Sequence, residues 1–188
     1  ELPITHLSLY NLTIEPHTVF YKKQNLLKPM LPDPETSTKM LEMAIDLLEE
    51  KELFQYEISA FAKKGLYSRH NTGYWTGRPF LGFGPSAFSY WKGERFRNVA
   101  NLNRYALALD KQESPVDFRE KLPLDAQKRE DLVIRLRLTE GIALKKIGAL
   151  TTDIEKLISQ QFLKIVNDHL CLTRKGMLFY DSVASELI

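Results

Sequence analysis

Apolar and polar positions along the chain follow patterns that predict short strands and helices in alternation. Residues 7–12 form a strand-like apolar run, which is followed by a polar connection punctuated by prolines. From there apolar side chains recur at helical spacing, and Asp33 followed by Pro34 is a favourable helix start, so we predict a helix over roughly 34–51. Residues 54–58 predict a second strand. Strand, helix and strand in this order are typical of a βαβ unit and predict a parallel sheet.

The middle of the chain combines an irregular stretch with a β-hairpin. Residues 65–79 are polar and aromatic and predict a loop, and residues 80–87 suggest the end of a short buried strand. Gly82 and Gly84 resemble a phosphate-binding loop, but Pro85 removes an amide and no Lys-Ser/Thr pair follows. Close packing of the backbone against a ligand or the next strand is the better interpretation. Residues 88–98 predict a hairpin.

The last part of the chain predicts a second domain. A helix over 101–109 is followed by a charged connection over 110–122, where we place the domain boundary. The elements predicted beyond it are helices over 124–138 and 152–160, strands over 162–166 and 169–172 turned by Asn167-Asp168, and a last helix capped by Thr173. Residues 132–138 also alternate as a strand would. Helices followed by a small hairpin indicate a winged-helix-like module.

Composition and charge exclude several classes of protein. The net charge is +2, and its charges are interspersed, which does not indicate a nucleic-acid partner or an anionic membrane. No apolar run approaches the ~20 residues that cross a bilayer. The single cysteine, Cys171, excludes an internal disulfide, favours the reducing cytoplasm, and lies in an apolar alternation typical of a buried structural thiol. The abrupt start at Glu1, without Met or a leader, is typical of a fragment.

The densest group of chemically capable residues lies in the predicted loop after the second strand. His70 could ligate a metal or haem, or transfer protons, while Tyr74 and Trp75 offer flat apolar faces to a planar ring system. Asn71 completes the group. The alternative is that these side chains only hold an ordered loop against the core.

Two further pairs lie at predicted strand ends, where sites in α/β folds commonly form. Tyr56 and Glu57 end the second strand, and Glu57 needs a partner or solvent, most simply an ion pair with Arg69 or Lys63. Leu12 and Thr13 end the first strand, where Thr13 could be a site residue, although the sequence alone favours an ordinary strand terminus. The four histidines are too widely separated to predict a zinc site.

Four ordered motifs resemble the later half of the radical-SAM proteins related to oxygen-independent coproporphyrinogen III oxidase. They are the segments 6–16, 56–59, 70–75 and 82–87, and the resemblance continues through 136–141 and 172–176. Within that family, His-Asn-x-x-Tyr-Trp is similar to the motif of the haem-chaperone branch called HemW, and it is complete at His70, Asn71, Tyr74 and Trp75.

The resemblance implies an α/β fold in which residues 1–110 form the C-terminal part of a partial (β/α) barrel. Residues 111–188 would form the winged-helix-like C-terminal domain. It implies haem binding at His70, Asn71, Tyr74 and Trp75, and it places Leu12, Thr13, Tyr56 and Glu57 on the side of S-adenosylmethionine (SAM). The family's [4Fe-4S] cluster is held by three cysteines in a Cys-x-x-x-Cys-x-x-Cys motif, which this sequence lacks. We therefore expect no metal site and no bound cofactor in this chain alone.

The resemblance leaves three functions open for the intact protein. It could bind and deliver haem, it could oxidise coproporphyrinogen III by radical decarboxylation, or it could be a ligand-free interaction module. The expected partners are haem or a porphyrinogen, the N-terminal half of the barrel, and a second copy of the chain, because a half barrel leaves strand edges uncovered. This chain alone should be catalytically inactive, and the parent protein is expected in the cytoplasm.

Overall fold

The computed structural model describes residues 3–188 and contains three small antiparallel sheets surrounded by helices. The elements of the first part are β1 (His6–Ser8), α1 (Val19–Lys22), α2 (Gln24–Leu27), a 3-10 turn (Lys28–Met30), α3 (Pro34–Glu50), β2 (Phe54–Glu57), β3 (Ala60–Ala62) and α4 (Arg69–Trp75). The middle part contains β4 (Phe88–Trp91), β5 (Glu94–Asn98), α5 (Leu102–Asp110) and β6 (Val116–Glu120). The last part contains α6 (Leu124–Leu136), β7 (Ile142–Ala143), α7 (Leu144–Ile147), α8 (Thr152–Ser159), β8 (Leu163–Val166), β9 (His169–Leu172), α9 (Arg174–Leu178) and α10 (Tyr180–Leu187).

Helix α3 confirms the prediction made from its capping residues. The Asp33 carboxylate accepts a hydrogen bond from the Thr36 amide at 3.0 Å, and Pro34 occupies the first turn. An Asp cap satisfies one of the free amides of the first turn, and Pro there loses no hydrogen bond. Ile45 is the fully buried residue of this helix and packs with Leu53 and Phe61.

The first sheet differs from the predicted parallel sheet. Its strand order is β1-β3-β2, and both pairings are antiparallel. The pattern did not predict β3, which turns back after Ile58 and Ser59 and pairs directly with β2. A short hairpin thus takes the position beside β2 that β1 would occupy in a βαβ unit, so the predicted parallel pairing of β1 with β2 is wrong.

An irregularity in β2 explains the unusual burial of its last two residues. The register with β3 shifts between Gln55 and Glu57, as in a β-bulge. Successive residues of a regular strand face opposite sides, but Tyr56 and Glu57 are both buried, at 4% and 2% exposure. The bulge therefore brings a phenol and a carboxyl into the interior side by side.

The stretch predicted as irregular contains a helix. Residues 69–75 form α4, whose N-terminus is capped by Ser68, since the Ser68 hydroxyl accepts a hydrogen bond from the Asn71 amide. The predicted loop over 65–79 is therefore wrong at its centre. The expected short strand over 80–87 is reduced to one bridge between Phe80 and Tyr90.

The predicted hairpin over 88–98 is confirmed, and β6 adds a third strand to it. Strand β6 lies in the segment predicted as a charged connection, and its pairing with β5 is reinforced by opposite charges. The ion pairs are Arg95 with Glu120, Arg97 with Asp117, and Arg119 with Glu94. Since β6 follows the boundary proposed near residue 110, hydrogen bonds of this sheet cross that boundary, and the domain division stays a prediction.

The last part of the chain forms a continuous core between helices and a small sheet of order β7-β9-β8. The hairpin of β8 and β9 is confirmed, and Asn167 and Asp168 turn it with φ of 48° and 60°. Strand β7 and helix α7 were not predicted, and the last helix is divided into α9 and α10 at Phe179. The buried core residues are Leu132, Val133, Leu136, Ile142, Ile154, Leu157, Leu163, Leu170, Leu172, Met177, Tyr180, Val183 and Leu187.

Cys171 is buried, as predicted, and burial raises the pKa of its thiol. A protonated, enclosed thiol is a poor nucleophile and metal ligand. Within residues 3–188, no group of three or more His, Cys, Asp or Glu side chains is placed to hold a metal ion. Over the same residues, no helix has the length and apolar character needed to cross a bilayer.

Candidate functional site

Helix α4 places the residues of the His-Asn-x-x-Tyr-Trp motif in one rigid turn and a half. His70 and Tyr74 are four positions apart, so their rings meet on one helix face, with centroids 4.7 Å apart and planes at 84°. Tyr74 meets Phe80 in the same edge-on manner at 4.6 Å. The result is a row of rings, His70, Tyr74 and Phe80, that begins at an imidazole.

The His70 side chain is exposed at the start of this aromatic row. None of the residues from 3 to 188 forms a hydrogen bond with its ring. An imidazole held by a ring contact but without a hydrogen-bond partner has a nitrogen lone pair available for a ligand. His70 is thus the motif residue whose position best suits coordination.

Trp75 follows Tyr74 on α4, with ring centroids 6.4 Å apart, and contacts the last part of the chain. The Arg137 guanidinium stacks over its ring at 4.2 Å and over the Tyr180 ring at 4.9 Å. Such stacking of Arg on aromatic faces is favourable, and more so when desolvated. Asn71 contributes its backbone amide to the Ser68 cap, and its side chain is half-buried. Trp75 and Asn71 therefore serve mainly to hold α4 in place.

Both ends of α4 are anchored by residues that the motif does not include. At the C-terminal end the Arg135 Nη2 donates to the Thr76 carbonyl at 2.8 Å, and Arg135 also pairs with Asp131. At the N-terminal end the Ser68 amide donates to the Tyr56 hydroxyl at 3.2 Å, and that hydroxyl lies 2.8 Å from the His6 Nε2. The helix bearing His70 is therefore fixed by two distant parts of the chain.

Sequence reasoning did not assign Arg135 and Arg137 to the site. Both interrupt an apolar alternation over 132–138, and an arginine in an otherwise apolar run needs a partner in the interior. That signal could have indicated a contact of this segment with another element.

A cluster of buried polar atoms without partners surrounds this contact. We call the space between β2, α4 and residues 135–139 the α4 junction. Its members without a hydrogen-bond partner among the described residues are Glu57 Oε2, Thr72 Oγ1, Trp75 Nε1 and Arg137 Nε. Backbone bonds close the junction, because Ile58 donates to the Arg137 carbonyl at 3.1 Å and Thr139 donates to the Tyr56 carbonyl at 3.0 Å.

Glu57 is the titratable carboxyl of the α4 junction. Burial raises its pKa, against the opposing effects of the Ser59 amide and the positive charges of Arg137 and His6. The predicted ion pair with Arg69 or Lys63 is wrong, since no described cation lies in salt-bridge contact with this carboxyl. The bulge turns Glu57 inward, away from both solvent-facing cations.

Burial also raises the pKa of the neighbouring Tyr56, although the Ser68 amide opposes this. The Tyr56 ring stacks on the Tyr67 ring with centroids 4.5 Å apart and planes at 13°. A protonated phenol can donate one hydrogen bond and accept another, which suits its place between His6 and Ser68.

The other predicted pair lies apart from these groups. Leu12 and Thr13 are exposed in a segment without regular structure that begins after β1 ends at Ser8. The described contacts do not join Leu12 or Thr13 to Tyr56 or Glu57. Their assignment to the SAM side stays a prediction.

Close packing of the backbone is the confirmed interpretation of the glycine segment after α4. A Cβ on Gly82 would lie 2.2 Å from the Phe88 carbonyl oxygen, so only glycine fits against β4. The Gly84 carbonyl accepts a hydrogen bond from the Asn98 side chain at 3.0 Å. The segment brings Phe80 and β4 against α4.

A pocket of about 340 Å³ opens between α4, the hairpin of β4 and β5, and α6. Its aromatic lining is formed by Tyr74, Trp75, Phe80, Phe88 and Tyr90. Its charged lining is formed by Arg78, Arg95, Glu120, Glu130 and Asp131. A concave, mainly apolar pocket with a few charged groups is typical of small-molecule sites.

Comparisons with known proteins agree with the motifs. Residues 122–179 match the family model of the HemN C-terminal domain. The chain is 34% identical over 148 residues to the heme chaperone HemW of Bacillus subtilis, covering 79% of this chain and 39% of that protein. It is 31% identical over 186 residues to the heme chaperone HemW of Mycobacterium tuberculosis H37Rv, covering 98% of this chain and 48% of that one. The chain thus spans less than half the length of these relatives.

A solved structure shows the same fold. The chain superposes on the Escherichia coli coproporphyrinogen III oxidase HemN, a radical-SAM enzyme, with a TM-score of 0.73 at 18% identity, over 97% of this chain and 48% of the enzyme. This likeness supports the mixed α/β fold. The motifs, the C-terminal domain and these relatives together show that this chain belongs to the radical-SAM family of HemN and the HemW heme chaperones.

Proposed function

We propose that the protein containing this chain binds haem and delivers it to an acceptor, with His70 as the iron-contacting residue. The observation that carries the proposal is the exposed His70 imidazole, free of hydrogen bonds to the described residues and ending a row of aromatic rings. The relatives named as heme chaperones support the same function. Neutral imidazole is a common axial ligand of haem iron, and aromatic faces suit a planar macrocycle.

The anchored helix gives the other residues positioning roles in this proposal. Tyr74 fixes the plane of the imidazole through its edge contact with His70, and Tyr74 is itself held by Phe80. Trp75 fixes the rotation of α4 through its stacking with Arg137. Asn71 joins the motif by completing the first turn with Ser68. A ligand held by a pre-organised side chain loses less entropy on binding.

The [4Fe-4S] cluster and SAM implied by the family would belong to the rest of the protein. The described residues do not fit a cluster, because Cys171 is buried with a raised pKa and donates to the Glu140 carbonyl. We assign no step to the cluster. Leu12, Thr13, Tyr56 and Glu57 remain our proposed residues on the SAM side.

The first sheet and α3 are proposed to form the C-terminal part of a partial barrel, followed by a winged-helix-like domain. Apolar side chains on α3 are exposed, at 57% for Met40, 70% for Met43 and 57% for Leu47. Contiguous exposed apolar side chains mark surfaces that another element covers. The N-terminal half of the barrel is our proposed partner for this face, and a second copy of the chain is the alternative.

A haem titration tests the function. We expect the Soret band of haem to shift when haem binds to this chain. The His70→Ala variant should bind haem at least about tenfold more weakly, because the iron ligand is removed. The matched control is His17→Asn, since His17 is also exposed and Asn accepts its φ of 66°.

Two results would contradict the proposal. Haem affinity that is equal in the parent chain and in His70→Ala would remove His70 from the site. A parent chain that shows no bound haem at all would favour the ligand-free interaction module instead. Turnover of coproporphyrinogen III by the intact protein would favour the oxidase.

A further inference from the structure

Among the charged residues that line the pocket beside α4, all but one form ion pairs with described residues. Arg95 contacts both Glu120 and Glu130, and Asp131 is held by Arg135 from outside the pocket. All three carboxylates of the lining are therefore in ion pairs within the described residues, although Arg95 is shared between two of them. Arg78 is the remaining charge of the lining, and no described carboxylate forms an ion pair with it.

The Arg78 side chain is nevertheless held in a defined place. Its backbone amide donates to the Gly73 carbonyl at 2.9 Å, and its Nη2 donates to the Arg69 carbonyl at 3.3 Å. The guanidinium lies directly over Gly73, where a Cβ would be 2.4 Å from Nη2. Glycine at this buried helical position makes room for a cation on the surface of α4.

This cation lies next to the proposed iron ligand. His70 and Gly73 are three residues apart on one helix, a spacing that brings side-chain positions within about 5–6 Å. The Arg78 guanidinium fills the space that a side chain at position 73 would occupy. It also donates a hydrogen bond to the carbonyl of Arg69, the neighbour of His70. One helix face thus presents an imidazole and an unpaired guanidinium together.

We propose that Arg78 binds a carboxylate of the tetrapyrrole while His70 contacts its iron, an inference that rests on the proposed function. Haem carries two ionised carboxylates at one edge of an apolar macrocycle. Guanidinium groups bind carboxylates with paired, charge-assisted hydrogen bonds. The site therefore selects tetrapyrroles with free carboxylates over esterified ones, and the aromatic pocket beyond Arg78 receives an apolar edge.

The first test combines a change in the protein with a change in the ligand. Haem and haem dimethyl ester are titrated into the parent chain and into Arg78→Gln, Arg78→Lys and the control Arg104→Gln, an exposed arginine of α5. We expect Arg78→Gln to bind haem about fivefold more weakly, because a partly exposed charge pair is lost. The ester should bind equally to the parent and to Arg78→Gln. Arg78→Lys should bind haem with an affinity between those of the parent and Arg78→Gln, because it keeps the charge but loses the paired hydrogen bonds.

A second variant displaces the cation without removing it. In Gly73→Ala the new methyl group occupies the place of the guanidinium, so the Arg78 side chain must move into solvent. We expect haem affinity to fall by a similar factor while the unfolding temperature stays the same or rises, since Ala favours helix more than Gly. A merely destabilising change would instead lower both.

The outcomes separate the two proposals. If the parent chain binds haem and Arg78→Gln binds it equally well, the Arg78 assignment fails and the haem function stands. An equal loss for haem and for the ester in Arg78→Gln also overturns the carboxylate contact, because it shows a structural effect. If the parent chain binds neither ligand, the haem function fails first and the role of Arg78 fails with it.

Discussion

The core of the last part of the chain and the α4 junction differ in how their buried groups are satisfied. The core contains apolar side chains from helices α6, α8, α9 and α10 and from strands β7, β8 and β9. Its buried phenol, Tyr180, donates to the Val133 carbonyl at 3.0 Å. The α4 junction contains all four buried side-chain polar atoms that lack a partner among the described residues. The two regions are adjacent, since Leu136 belongs to the core and Arg137 to the junction.

This difference separates stability from positioning. An apolar core whose polar groups all have partners stabilises the fold through burial. Buried polar groups without partners cost free energy, and they are retained where function requires them. In this chain the unpartnered groups lie beside the helix that carries His70. The following predictions test whether the core and the α4 junction really have these separate roles.

The largest expected effect comes from the core. Leu136 is 1% exposed, and Leu136→Ala should lower the free energy of unfolding by about 3 kcal/mol through lost burial and a cavity. Chemical denaturation measures this change. The control is Leu47→Ala on α3, where the side chain is 57% exposed and the cost should stay below about 0.5 kcal/mol. Similar losses in both variants would remove the distinction.

The next effect comes from the neighbouring residue in the α4 junction. Arg137→Lys keeps the charge but loses planar stacking on Trp75 and Tyr180. We therefore expect the free energy of unfolding to fall by about 1 kcal/mol. The emission of Trp75 should also shift to the red, measured with Trp91→Phe as background. Arg129→Lys on the exposed face of α6 is the control and should change neither quantity. Unchanged emission in Arg137→Lys would exclude Arg137 as the holder of Trp75.

The smallest effect concerns Glu57 and depends on pH. Because burial raises the pKa of this carboxyl in the folded state, the folded chain retains a proton that the unfolded chain has released. This contribution therefore lowers stability as the pH rises from the unfolded pKa through the folded pKa. Glu57→Gln should unfold at a higher temperature than the parent near pH 7, by less than about 1 kcal/mol in free energy, and the difference should disappear near pH 4.

Glu113→Gln is the control for this pH dependence, since Glu113 is exposed. Its unfolding temperature should follow that of the parent at every pH. A Glu57→Gln variant that is less stable than the parent near pH 7 would show that the carboxylate has a partner in solution.

The sequence predicted those elements whose signals are local. Helix α3 follows from Asp33 and Pro34, and the hairpin of β8 and β9 follows from Asn167 and Asp168, because each depends on neighbouring residues alone. Strand β6 was missed because its stability comes from cross-strand ion pairs with β5, which a charged segment does not reveal. The parallel sheet was predicted wrongly because the three-residue β3 is too short to show alternation.

The sequence predicted which residues belong to the candidate site, but it did not predict the helix that carries them. His70, Asn71, Tyr74 and Trp75 were singled out as a group, yet a seven-residue segment that contains Gly73 has weak helix propensity. The helix forms because Ser68, Arg135 and Arg137 hold its two ends, and the contact of Arg135 with Thr76 joins residues 59 positions apart. Long-range contacts of this kind leave no pattern in the segment itself.

The anchoring of α4 by Arg135 and Arg137 sets the minimal length of any fragment of this chain that keeps the proposed haem-binding helix in place. A shortened version ending near residue 110 would retain every residue of the His-Asn-x-x-Tyr-Trp motif. It would lose the hydrogen bond to Thr76, the cover over Trp75 and the pairing of residues 137–139 with β2. A peptide carrying the motif alone would therefore present its imidazole on an unfolded segment, and any cut that retains the residues of these three contacts must extend at least through Thr139.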